Sequence, residues 1–223
     1  DALIAFGAGT VGALTFAFTD SHWFNAVEAE VYAFSTFFTA IVVWLALLWS
    51  EKADEKGNER YILIISYMIG LATGLHLLNL LTIPFVALLI YFRKFKFEWT
   101  SFGILVALTG LVFFIIHNVI IKGMPKIADA IGVSLTGLLI IAIFAGMIWA
   151  ILNHKQLVSI VLTSMVLILI GYSTYALIFI RSNQDPGIDE NDPETVEAFI
   201  SYLEREQYGD VGMFPRRFKG IKP

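Results

Sequence analysis

Residues 31 to 49, VYAFSTFFTAIVVWLALLW, run for 19 positions without a charged side chain. At 1.5 Å per residue such a run spans the roughly 30 Å hydrocarbon core of a bilayer. Its apolar residues are continuous rather than alternating, which selects a helix over a barrel strand. The rest of the chain repeats the pattern. Of 223 residues 57% are hydrophobic and 15% charged, against about 25% charged in an average soluble domain, and the mean hydropathy is +0.75. The expected class is an all-α polytopic membrane protein. The absence of cysteine excludes disulfides, thiolate metal sites and cysteine nucleophiles. A net charge of -4 gives no reason to expect a nucleic-acid partner.

Toward the C-terminus, Glu51 to Arg60 is a polar loop. Tyr61 to Phe92 is apolar but too long for one span, and Gly70, Gly74, His76, Asn79 and Pro84 interrupt it. It reads as a tight hairpin of two short helices with its tip at Leu75 to Asn79. Spans follow over about Phe102 to Ile120, Ile131 to Leu152 and Leu157 to Ile180. With Ala2 to Thr19 and the opening run, about seven membrane segments are expected. Lys52, Lys56 and Arg60 precede the hairpin, and Arg93, Lys94 and Lys96 follow it. Because basic residues gather on the cytoplasmic side, both hairpin ends are expected there. The 20–30 stretch, the hairpin tip and the polar tail then lie on the opposite side, although Lys122 and Lys126 count against this orientation.

Two regions are expected: a transmembrane helical domain over 1–180 and an extracytoplasmic soluble segment over 181–223. In the second, Asp192 before Pro193 reads as an N-cap with proline at the first helical position. Val196, Phe199, Ile200 and Leu203 recur at helical spacing, so a helix over about Pro193 to Tyr208 should lay an apolar face on the membrane domain, with Gly209 ending it. The acids from Asp185 to Glu194 lack the glycine and ligand spacing of an EF-hand loop and read as caps and solvated charge. The chain opens at Asp1 without methionine or a basic n-region, and its last residues resemble the start of a further region. It therefore reads as an internal piece of something longer.

Gly7-Ala8-Gly9-Thr10-Val11-Gly12 matches G-x-G-x-x-G. A dinucleotide fingerprint needs a preceding strand in a βαβ unit, whereas these glycines sit in an apolar helix. The expectation is small residues at a helix–helix contact.

Chemistry is most concentrated in Asp20 to Ala33, where Glu28 and Glu30 stand at the mouth of an apolar span beside His22, Trp23, Phe24 and Tyr32. One reading is two solvated carboxylates in an aromatic interfacial belt. The other is a general base, a metal ligand or a polar substrate contact, since acids at membrane mouths mark substrate paths. Two residues apart on a helix, the acids would point about 200° from one another; only irregular backbone lets both face one ligand. His76 and Asn79 either tie helices together or contact a phosphate head group. His117-Asn118 reads as structural, and His154-Lys155 as a cytoplasmic flank. No serine elbow, phosphate loop or zinc motif is present.

Residues 24–40 (FNAVEAEVYAFSTFFTA), 70–81 (GLATGLHLLNLL) and 189–209 (DENDPETVEAFISYLEREQYG) resemble a bacterial membrane family, formerly a domain of unknown function, grouped with protein O-mannosyltransferases. The resemblance implies a GT-C-like glycosyltransferase of the bacterial cytoplasmic (inner) membrane, with the 20–30 loop and the tail periplasmic. Such an enzyme moves a sugar, mannose by the family name, from a polyprenyl-phosphate donor to a protein or glycan acceptor. It implies catalytic roles for Glu28 and Glu30 and substrate binding by His22, His76 and Asn79, with a divalent metal possible and no other cofactor. Family members are longer, and their first catalytic loop would lie upstream of Asp1. Two other readings stay open: a non-catalytic scaffold or subunit of a membrane complex, and a transporter of lipid-linked substrates.

Overall fold

In the computed structural model, which describes residues 1–28, 31–204, 206 and 209, the opening run forms helix α3, Tyr32–Glu51. Its buried residues Phe38, Val42, Leu45, Ala46 and Trp49 recur every three to four positions, so one stripe faces protein while Trp44 and Leu47 stay exposed. Facing hydrocarbon, such exposed side chains carry no penalty.

The remaining helices are α1 (Ala2–Ala17), α2 (Asp20–Val27), α4 (Glu59–Thr73), α5 (Thr82–Lys94), α6 (Trp99–Phe114), α7 (Gly123–Ile131), α8 (Val133–Leu152), α9 (Gln156–Tyr172), α10 (Ala176–Ser182) and α11 (Val196–Glu204). A 3-10 turn, Leu77–Leu81, leads into α5, and a π-helical turn, Ile115–Ile121, extends α6. No strand occurs among the described residues. Five helices are long and apolar enough to cross a membrane, and α1 with α2, bent by 60°, makes a sixth when taken together. The 15-residue α4 occupies the seventh expected place but is short for a full span. The chain is thus an all-α, multi-pass membrane protein.

The bundle is centred on α4, which packs most extensively against α9 and then against α3. At its crossing with α9 the two backbones touch: a Cβ on Gly70 would lie 2.5 Å from the Ile168 carbonyl oxygen, and one on Gly171 2.5 Å from the Leu71 nitrogen. Ile65 and Ile69 of α4 join Leu169 and Tyr172 of α9 in the core beside Val42 and Leu45 of α3. The two arms of the 61–92 segment do turn back at residues 74–76, but each packs on α3, with α5 also against α6.

Two local expectations need correction. The close helix packing foreseen at Gly7, Gly9 and Gly12 does not occur within the described residues: added Cβ atoms there would meet nothing within 4 Å. The reason is that α1 leaves the bundle at the 60° bend and is connected to it through α2. The tail helix begins at Val196, not Pro193. Asn191 and Asp192 adopt left-handed backbone, with φ of 67° and 46°, so the chain is still turning where a cap was expected. Thr195 caps instead, its Oγ1 accepting the Ala198 N–H at 3.1 Å. The apolar face of α11 does settle on the membrane domain: α11 packs on α7, Phe199 meets Phe179, Leu203 is buried and Lys126 pairs with Glu204. Helix α11 is described as far as Glu204, and Gly209, expected to end it, has φ 71°.

Candidate functional site at the hairpin tip

The ends of the bundle differ in chemistry. At one, the 51–60 loop meets the end of α5: Asp54 pairs with both Arg93 and Lys94, Arg93 Nε donates to the Ser50 carbonyl at 2.9 Å, and Lys94 Nζ to that of Ala53 at 2.6 Å. The two basic clusters flanking the hairpin therefore lie together. The Lys94 ammonium, hydrogen-bonded to Asp54, and then the Arg93 guanidinium hold the Asp54 carboxyl below the usual carboxylate range. Trp49 Nε1 donates to Asn58 Oδ1 at 3.2 Å, closing the loop on α3.

At the other end, apart from the Lys126–Glu204 pair between α7 and α11, the ties are made by neutral groups. Tyr175 donates its hydroxyl to the Thr73 carbonyl and Tyr172 to that of Ile121, both at 2.8 Å. These bonds join the hairpin tip, the end of α9 and the approach to α7. In the tip, Asn79 is 3% exposed. Its Oδ1 accepts from Thr39 Oγ1 at 2.8 Å and Ser35 Oγ at 3.2 Å, while Nδ2 donates to the carbonyls of His76 at 3.2 Å and Ala72 at 3.5 Å. All of its hydrogen-bonding capacity is thus directed at protein. His76 is extended, with φ -155° and ψ 128°, and its Nδ1 accepts the Leu78 N–H at 3.1 Å, capping the 3-10 turn. Its ring lies 5.4 Å from that of Tyr32 at the start of α3. His76 is half-buried, and its Nε2 has no partner among the described residues.

Helix α2 brings the acidic stretch to this end by packing on α3. Thr19 Oγ1 accepts the His22 N–H at 3.4 Å, and the His22 ring lies 4.4 Å from Phe16. Trp23 stacks on Phe18, and an open cleft is lined by Phe18, Asp20, Trp23 and Phe24. The helix stops where Glu28 turns extended, with φ -74° and ψ 152°. Glu28 is exposed and its carboxylate has no partner among the described residues. Glu30 lies outside the described residues. His76, Asn79 and Tyr32 are therefore brought into one cluster; His22 and Glu28 stand on the adjoining α2 and its exit without touching it.

Ser35 and Thr39 were not singled out in the sequence, yet they carry the cluster. Part of the signal was available: they are hydroxyl residues four apart, hence on one face of the helix, although Thr36 and Ser50 of the same helix are hydroxyl residues too. His117 stacks on Phe113 within the π-helical turn, a type of irregularity frequent at functional sites. His154 has φ 51° in the turn between α8 and α9. In the tail, Asp189, Asp192 and Glu194 place carboxylate oxygens within 4.8 Å of one another, close enough to share a cation. The charge of Asp192 beside it, with smaller effects of burial, Asp185 and Asp189, raises the Glu194 carboxyl above its ordinary range. Ser182 Oγ donates to Asp189 at 2.7 Å, which accounts for one of these acids structurally.

Residues 1–99 match the family model described as the N-terminal domain of the protein O-mannosyl-transferase TMEM260. No curated protein and no solved structure matches the chain. The matched range includes the blocks at 24–40 and 70–81 and leaves out that at 189–209. The first 99 residues are thus similar to a domain of an O-mannosyltransferase-like membrane family, which supports a glycosyltransferase function.

Proposed function

We propose that this chain is part of a membrane glycosyltransferase that moves a sugar, mannose by its family likeness, from a polyprenyl phosphate to a serine or threonine hydroxyl on the extracytoplasmic face. The observation that carries the reading is that all five candidate residues, His22, Glu28, Glu30, His76 and Asn79, fall within the 99 residues similar to an O-mannosyl-transferase domain. In the transfer, the acceptor oxygen bonds to the sugar's anomeric carbon as the bond from that carbon to the phosphate oxygen breaks. The electron pair leaves with the phosphate, and a carboxylate takes the hydroxyl proton. This reading assigns the carboxylates of Glu28 and Glu30 to the step, either as that base or by orienting the acceptor. His76 donates from Nε2 to the departing phosphate. His22 extends the polar surface on α2, and Asn79, its own bonds spent on protein, acts through the backbone of the tip. The resemblance further suggests a GT-C enzyme of a bacterial inner membrane with this end periplasmic.

The test is transfer from a polyprenyl-phosphate sugar to an acceptor peptide by the full protein in membranes. Glu28→Gln and Glu30→Gln are compared with wild type, alongside His76→Ala. General-base loss is expected to slow transfer by about 10²- to 10⁴-fold. If all three variants insert stably and transfer sugar like wild type, the assignment is wrong.

A further inference from the structure

Asn79 offers nothing to a ligand, yet it is the most extensively bonded polar side chain at the tip, which raises the question of what it holds. Its two acceptor bonds come from one face of α3 and its two donor bonds go to carbonyls on either side of the turn, Ala72 and His76. Its own carbonyl accepts from Thr82 Oγ1 at 2.7 Å at the start of α5. The buried amide therefore ties α3 and the end of α4 to His76, and the main-chain carbonyl of the same residue ties in the start of α5. The consequence falls on the imidazole. Because Nδ1 accepts the Leu78 N–H, the proton of the neutral ring resides on Nε2.

We propose that Ser35, Thr39 and Asn79 are positioning residues for His76: they hold the turn in which its ring is confined to the Nε2–H tautomer and offers a neutral donor at the outer mouth. The inference rests, for the ligand, on the reading of His76 as a contact of the lipid phosphate; for the tautomer it rests on the geometry alone. Thr39, the closer of the two hydroxyl donors, is the point of attack. Thr39→Val keeps the volume and removes the hydroxyl, leaving Asn79 Oδ1 without its closer donor and the turn that Asn79 ties less firmly held. Thr39→Ser restores the hydroxyl.

The experiment uses the full protein, ¹⁵N-labelled at histidine, in nanodiscs, with the His76 signals assigned by their loss in His76→Gln. Wild type and Thr39→Ser should show a bare Nδ1 and a protonated Nε2. Thr39→Val should show exchange between tautomers. Farnesyl phosphate, titrated against farnesol as the phosphate-free control, should bind Thr39→Val roughly tenfold more weakly than wild type, the worth of about one hydrogen bond. Should Thr39→Val fail to fold, Ser35→Ala removes the 3.2 Å contact instead and is expected to act in the same direction, more weakly. A proton on Nδ1 in wild type, or an unchanged tautomer and affinity in the folded variant, overturns the proposal. If the tautomer is released but wild type binds farnesyl phosphate no better than farnesol, the positioning role stands and the phosphate reading fails.

Discussion

Replacing Gly171 by alanine tests what holds the bundle together. The added Cβ would sit 2.5 Å from the Leu71 nitrogen and 2.6 Å from the Gly70 carbonyl carbon, about 1 Å inside the distance of favourable contact. These are backbone atoms of a helix, so no rotamer change relieves the clash and α4 and α9 must separate. A gap of 0.5 to 1 Å forfeits roughly a quarter to a half of each pairwise attraction across it, and the loss reaches Ile65, Ile69, Leu169 and Tyr172 together. Overpacking costs about 1 to 3 kcal/mol, and an unyielding obstacle places this site at the upper end. Replacing glycine in a helix returns about 1 kcal/mol. The net expectation is a loss of about 2 kcal/mol, read from reversible unfolding in mixed micelles followed by circular dichroism. Gly103→Ala on α6, where a Cβ meets nothing within 4 Å, carries the same propensity gain without the clash and should be neutral or slightly stabilising. If Gly171→Ala is no less stable than Gly103→Ala, the backbone contact of α4 and α9 is not what the geometry indicates.

Thr195→Ala should loosen α11 by about 1 kcal/mol, seen as faster hydrogen exchange over 196–204, whereas Asp192→Ala should leave that exchange unchanged; the opposite ranking would restore Asp192 as the cap. At the charged end, the Asp54 carboxyl is held below its usual range, so its contribution to stability is present above the unfolded value of about 3.9 and is lost as pH falls through the lower folded value. Thermal melts should therefore show Asp54→Asn less stable than wild type at pH 7, with the difference shrinking in acid and in high salt, where exposed pairs are screened. A gap between the two proteins that is constant across pH would assign Asp54 a role other than its charge.

The membrane segments were legible because lipid leaves a backbone few options: charge-free runs had to be helices, and the observed ends fall within a few residues of those expected. Glycine was harder. Gly7 to Gly12 and Gly70 look alike in sequence, since each lies in an apolar helix, yet only Gly70 faces another backbone. Which face of a helix is occupied depends on the bend after α1 and on the partner α9, a hundred residues from α4. The tail cap failed for a different reason. Asp192-Pro193 and Thr195 both meet the local rules for starting a helix, and the left-handed turn at Asn191 and Asp192 decides between them. Asn79 is legible as a helix tie or a head-group contact, but its state is set by Ser35 and Thr39, 44 and 40 positions away, and two of several small hydroxyl residues in their helix.

The contrast between the two ends bears on where a reaction would be placed. Asp54, Arg93 and Lys94 are substantially exposed, so their pairing is screened and contributes little rigidity. At the hairpin tip, by contrast, Asn79, Thr73 and Tyr172 are buried and bond through neutral groups, where the low local dielectric makes each bond stronger and each broken one costlier. A site that must present a donor to a developing charge gains from such preorganisation, and it is at this end that Glu28 and His76 Nε2 are left without partners among the described residues. The rigid groups of the tip thus satisfy one another, while Glu28 and His76 Nε2 beside them keep their capacity free among the described residues. That division is expected of a site and its support, and it is why Asn79, the residue most tightly held, is assigned to the support.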